Sequence, residues 1–213
     1  TDARVMLLNG RIRLASRDFA AALVDFDDAA AAAPAWAEPH YLLGIASGLQ
    51  GDVAGAEGHL RAALERDSAH LQAASQLVDL LLAKGRPKEA REALDLLATH
   101  HAEAPRRYIA EGRLALAEGD SARAIEAFRT ASAATNSPVA ASGLVSAYLR
   151  AGDGDAALDY LRRELGRAGA DRTALNLSRA SVLEYLDRQP EAIASYEAVL
   201  RDSPDNVNAL NLS

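Results

Sequence analysis

A short pattern recurs at a fixed distance along this chain, and that recurrence limits the possible folds more than any other feature. Gly-Asp-Val-Ala-Gly-Ala at 51–56 returns as Gly-Asp-Ser-Ala-Arg-Ala at 119–124, with Gly-Arg-Pro-Lys-Glu-Ala at 85–90 between them. Aligning each copy on its last alanine gives Ala22, Ala56, Ala90, Ala124, Ala157 and Ala192, spaced by 34, 34, 34, 33 and 35 residues. A fixed period in this range marks stacked supersecondary units, each too small to bury its own apolar face.

Other columns keep the same phase. Four residues after each alanine stand Phe26, Leu60, Leu94, Phe128, Leu161 and Tyr196; three further on come Ala29, Ala63, Leu97, Ala131, Glu164 and Val199. The i, i+4, i+7 spacing places each trio on one face of a helix. Twelve residues before each alanine the chain reads Gly10, Gly44, Val78, Gly112, Val145 and Ala180. That column is slim throughout, as a close helix–helix approach requires. Gly51, Gly85, Gly119 and Gly152 fall where a helix end wants a left-handed residue, and Arg17 and Asp187 replace them in the first and last units. All seven prolines fall between helices or in a predicted first turn, where the missing N–H costs nothing.

The composition agrees. Hydrophobic residues make up 49% but aromatics only 5%, and alanine alone supplies roughly a quarter of the chain. Such a chain lacks the β-branched and aromatic richness of a sheet protein. Moderate Gly, absent Cys and the high apolar fraction exclude collagen, a disulfide scaffold and a disordered tail. No apolar run of about 18 residues is present, so no membrane span is expected. A net charge of −7 argues against general nucleic-acid binding.

A 34-residue helix–turn–helix unit with this small and large pattern resembles the tetratricopeptide repeat. The resemblance covers six units, 3–36, 37–70, 71–104, 105–137, 138–172 and 173–206. Signature positions stand as Leu43-Gly44, Gly51-Asp52, Ala56, Leu60 and Ala63 in the second unit, and as Tyr108, Gly112, Gly119-Asp120, Ala124, Phe128 and Ala131 in the fourth. Ala192, Tyr196 and Pro204 mark the last. It implies an all-α, right-handed α-solenoid forming a single array over 1–213. Glu111 and Arg179 stand where the family usually has Leu, and Glu164 where it has Ala. The loop 166–172 is irregular, so the junction of the fifth and sixth units is expected to bend or loosen. The C-terminal run from Tyr196 to Asn211 is similar to repeat proteins of bacterial envelope, PEP-CTERM and exopolysaccharide-export systems. That resemblance places the chain in the bacterial periplasm or envelope, with the cytoplasm as the alternative.

In the family, the first helix of each hairpin lines a concave groove. Carrying those positions over implies a partner-binding face of Arg11, Tyr41, Ile45, Leu49, Asp79, Leu82, Arg106, Ile109, Arg113, Leu116, Leu149, Arg150, Glu184 and Tyr185, with Leu7, Glu38 and Ser75 among its neighbours. A protein or peptide partner with apolar anchors and carboxylates would suit it. The carboxylate clamp of the chaperone-tail-binding members finds only Arg11 at its positions, so that ligand is not expected.

Chemistry of other kinds finds little support. His100 and His101 are adjacent and diverge by about 100° on a helix, which no shared metal tolerates. Asp25, Asp27 and Asp28 lack the glycine and terminal Glu of a calcium loop, and Gly152-Asp153-Gly154-Asp155 lacks the Lys-Ser/Thr of a phosphate loop. Trp36 reads as the cap of a packing seam. No catalytic residue, metal or cofactor is expected. Val207–Ser213 reads as the start of a truncated first helix, so the chain is expected to be a piece of a longer protein whose open end could self-associate end to end. The sequence therefore points to a non-enzymatic interaction scaffold. A substrate-recognition arm of a larger enzyme, such as a peptide-directed glycosyltransferase, and a self-assembling array are the alternatives.

Overall fold

A computed structural model describes residues 2–135 and 137–210, and among these every regular element is a helix. Twelve long helices follow in order, two to each repeat of the sequence: α1 (Ala3–Ala15) and α2 (Phe19–Ala32), α3 (Ala37–Leu49) and α4 (Val53–Arg66), α5 (Leu71–Ala83) and α6 (Pro87–His100), α7 (Pro105–Glu118) and α8 (Ser121–Ala134), α9 (Pro138–Arg150) and α10 (Gly154–Leu165), and α11 (Arg172–Tyr185) and α12 (Gln189–Asp202). A short α13 (Val207–Leu210) follows, and the rest of the helix expected over 207–213 lies outside the described residues. The chain divides into two compact units, 1–118 and 119–213. In the first, α1/α2, α3/α4 and α5/α6 pack as hairpins, α2 abuts α3, α4 abuts α5, and α7 lies on α5 and α6. In the second, each helix from α8 to α13 packs on the next.

Local chemistry sets these boundaries. Asp18, Asp52, Asp120 and Asp153 each cap a second helix, accepting a backbone N–H from Ala21, Gly55, Arg123 and Ala156. In the third and sixth pairs Arg86 and Arg188 stand there without a side-chain cap, and a proline in the first turn, Pro87 or Pro190, starts the helix instead. The preceding turn needs a left-handed residue. Gly51 supplies it at φ 88°, whereas Arg17 and Asp187 are forced to φ 63° and 57°, a region in which a Cβ is penalised.

Packing explains the alanine phase. Ala22, Ala56, Ala90, Ala124, Ala157 and Ala192 are all at most 2% exposed. Phe26, Leu60, Leu94, Phe128, Leu161 and Tyr196 are buried beside them. A Cβ on Gly10 would strike the Phe26 ring, and one on Gly44 would lie 2.9 Å from Leu60 Cγ. In the second unit Gly143 receives the Phe128 ring in the same way. Bare backbone lets an aromatic side chain lie flat across a neighbouring helix, which is why so few aromatics fill so much core.

The family-pattern departures have visible consequences. Glu111 is half-buried and held by Arg107 at 2.6 Å, while Glu164 turns toward Arg167 at 2.9 Å. Trp36 packs against the cluster of Leu7, Phe26, Leu42 and Leu43, so it closes a seam between repeats. On the other side of α1, Val5, Leu8 and Ile12 remain 48–58% exposed.

Candidate functional site

The 34-residue period places equivalent first-helix residues in rows. Within the first unit one row reads Leu7, Tyr41, Ser75 and Ile109, and the next reads Arg11, Ile45, Asp79 and Arg113. Side-chain bonds tie neighbouring helices together along them. Arg11 of α1 pairs with Glu38 of α3, and the other Glu38 oxygen lies 3.0 Å from His70 Nε2 at the start of α5. His70 Nδ1 accepts the Ala73 N–H at 3.2 Å, so the ring hydrogen sits on Nε2 and is donated to Glu38. Arg113 of α7 pairs with Asp79 of α5 across the same face.

Tyr41 lies at the centre. Its ring centroid is 5.1 Å from that of His70. Burial, reinforced by Glu38, pushes its hydroxyl above the ordinary tyrosine range, with Arg106 and Arg11 pulling the other way. Arg106 is exposed on the first turn of α7 and forms no hydrogen bond or ion pair among the described residues. Ile109, one turn further along α7, is half-buried, as are Ile45, Leu82 and Leu116 farther along the first helices.

The other expected residues separate into groups. Leu7 and Ser75 belong to the core, at 6% and 5% exposure; Ser75 donates its hydroxyl to the Leu71 carbonyl. The guanidinium forks of Arg11 and Arg113 are engaged by this chain's own acids, so they are not the free carboxylate receptors the sequence suggests. Leu49 is 55% exposed but one residue out of the row of Leu14, Leu82 and Leu116, where Gly48 stands. In the second unit Leu149 is half-buried, Arg150 is exposed at the end of α9, and Tyr185 is 67% exposed. Glu184 is drawn to the Tyr196 hydroxyl and helps hold that group's pKa up, after burial, which is the larger cause.

Three histidines outside this face, His40, His100 and His101, have structural partners or burial to explain them. His101 Nε2 reaches the Ala69 carbonyl and His100 Nε2 the Ser68 hydroxyl at 3.3 Å. His40 Nε2 is buried with no hydrogen-bond partner among the described residues; burial first, then Arg66 and His59, lower its pKa below the usual histidine value. Among the described residues no group of three or more His, Cys, Asp or Glu could hold a metal ion, and no helix is long and apolar enough to cross a membrane.

Repeated helical pairs with slim residues at each crossing define an α-helical repeat array. Two tetratricopeptide repeat family models match residues 49–113 and 109–174, together more than half of the chain. The chain belongs to the tetratricopeptide repeat family. No curated protein matches it in sequence. Among solved structures, the type IV pilus biogenesis factor PilW superposes with a TM-score of 0.79 at 16% identity, covering 98% of this chain and 97% of that one. The thermophilic repeat protein TTC0263 of Thermus thermophilus gives 0.70 at 23% identity, covering 85% of this chain and 99% of that one. A chain of the APC/C hetero-tetramer Cut9–Hcn1 gives 0.75 at 19% identity over 99% of this chain, which spans 42% of that one. These likenesses establish the fold; membership of the tetratricopeptide repeat family makes the chain a protein-interaction scaffold in general terms.

Proposed function

We propose that the chain is a non-enzymatic scaffold that holds an extended segment of a partner protein along the first-helix faces of α3, α5 and α7, its six hairpins acting as one array. One observation carries this reading. Arg106 is exposed beside the half-buried Tyr41 and Ile109 and forms no hydrogen bond or ion pair among the described residues, whereas Arg11 and Arg113 are already paired. A free guanidinium next to apolar area recognises a carboxylate flanked by an apolar anchor. We further infer a place in a bacterial envelope or exopolysaccharide secretion assembly. Supporting it are the C-terminal run 196–211 and the shared fold with PilW, itself a type IV pilus biogenesis factor.

Peptides selected on the purified protein from a random display library test the face. They are expected to carry an acidic residue near an apolar one. Arg106→Glu should weaken them about tenfold, which corresponds to about 1.4 kcal/mol, without changing the melting temperature. Arg113→Glu is the wrong probe, because it sets a second carboxylate beside Asp79 and lowers stability. Selected peptides that bind Arg106→Glu as tightly as the parent would remove Arg106 from the site.

A further inference from the structure

The first helix of the array keeps one apolar face open. Val5, Leu8 and Ile12 stand at i, i+3 and i+7 of α1, so they form one stripe along it. They are 48%, 58% and 58% exposed, on the side of the helix away from the buried Leu7 and Gly10.

The repeat register shows what covers such a stripe elsewhere. Its counterparts one repeat on are Pro39, Leu42 and Ala46 of α3, all buried. Leu42 and Ala46 join the cluster that holds Phe26 and Ala29 of α2. In the second unit Gly143 of α9 takes the place of Leu8, and the Phe128 ring of α8 lies where its Cβ would be. In these repeats the second helix of the preceding one covers the stripe, and α4 abuts α5 in the same way. On α1 the equivalent seat is bare among the described residues.

Three facts narrow the occupant. Each later stripe contains a slim residue, Ala46, Ala73, Ala110, Gly143 or Ser178, which lets the covering helix come close. Val5, Leu8 and Ile12 are all bulky, so a helix laid on α1 sits farther out and interdigitates with them, unlike a further hairpin of this array. A second copy is also a poor match through this face. The helix carries Arg4, Arg11 and Arg13 and no acid, so it repels its like. Arg11 and Arg13 are answered within the chain by Glu38 and Asp25. Arg4 is exposed one turn from Leu8, and its guanidinium forms no hydrogen bond or ion pair among the described residues.

We propose that this stripe docks an amphipathic helix of a partner protein, with apolar residues at matching spacing and an acidic residue at its edge to meet Arg4. The stripe supplies apolar area, and the Arg4 fork fixes orientation by pairing a carboxylate. The surface is separate from the face of α3, α5 and α7 and does not depend on that reading.

The polypeptide as its host makes it, labelled with ¹⁵N, is titrated with an alanine-based peptide of about 20 residues, long enough to hold a helix in water. The peptide carries leucines at i, i+3 and i+7 with glutamates beside them; a twin has lysines for the glutamates. Saturable shifts are expected at amides 4–13 with the glutamate peptide, and about tenfold weaker binding by the twin, despite the chain's net charge of −7. Leu8→Gln, which keeps a good helix former, should weaken the response about tenfold without lowering the melting temperature. Ile12→Gln serves if that variant fails to fold, and Arg4→Glu should reverse the preference between the twins. Unmoved amides, the result if the chain's own residues or a second copy already cover the stripe, would overturn the proposal. So would equal affinity of the twins, or an undiminished response in folded Leu8→Gln. Arg106→Glu should leave the response intact; its loss there would assign the peptide to the groove and strike the α1 site.

Discussion

Phe26→Ala is expected to lower stability by about 3–5 kcal/mol, the cost of emptying a buried aromatic site. Phe26 is fully buried, and its ring lies across Gly10, a residue with no side chain to move into the void. The same ring belongs to the cluster joining α1, α2 and α3, so its loss loosens a hairpin and the seam to the next repeat together. Denaturant unfolding followed by far-UV circular dichroism measures this. A loss under about 1 kcal/mol would be the size expected of an exposed site, and would mean that the aromatic-over-glycine crossing does not hold the repeat.

The second large effect concerns Glu57. This carboxylate on α4 is 13% exposed and accepts from Lys84 at 2.6 Å, Arg86 at 2.7 Å and Arg61 at 3.1 Å, linking α4 to the α5–α6 turn. Glu89 joins through Arg61 and Arg86. The Lys84 bond, with those of Arg86 and Arg61 and against the opposing cost of burial, holds the Glu57 pKa down to about 2. The folded pKa lies below the unfolded one, so the stabilisation is fully present above about pH 4.5. It is lost as pH falls from there toward 2. Glu57→Gln should cost about 1.5–3 kcal/mol at pH 7, the range of hydrogen bonds to charged groups. The gap between parent and variant should close through that acid window. A gap independent of pH would show that the carboxylate charge is not what joins these helices.

Much of the fold is legible because a solenoid writes its packing into the sequence at a fixed period. The alanine column and the large column four residues on fall where the helices pack, and the turn glycines fall in the left-handed turns between them. Even the replacements Arg17 and Asp187 keep the left-handed turn, at positive φ. The site is less legible, since residues in one row can serve the core or the surface. Leu7 and Ser75 are buried in the row where Tyr41 and Ile109 are half-exposed. One missed feature left a signal. Asp79 and Arg113 are 34 residues apart, one full repeat, so opposite charges at the same row position on adjacent first helices foretell their pairing.

Amide hydrogen exchange with a selected peptide at saturation tests the interaction face most directly. Slowed exchange is predicted in 37–49, 71–83 and 105–118, the first helices carrying Tyr41, Asp79 and Arg106, while 53–66 and 87–100 exchange as in the free protein. Protection concentrated on the second helices, or none on the first, would contradict a scaffold that binds through its first-helix face.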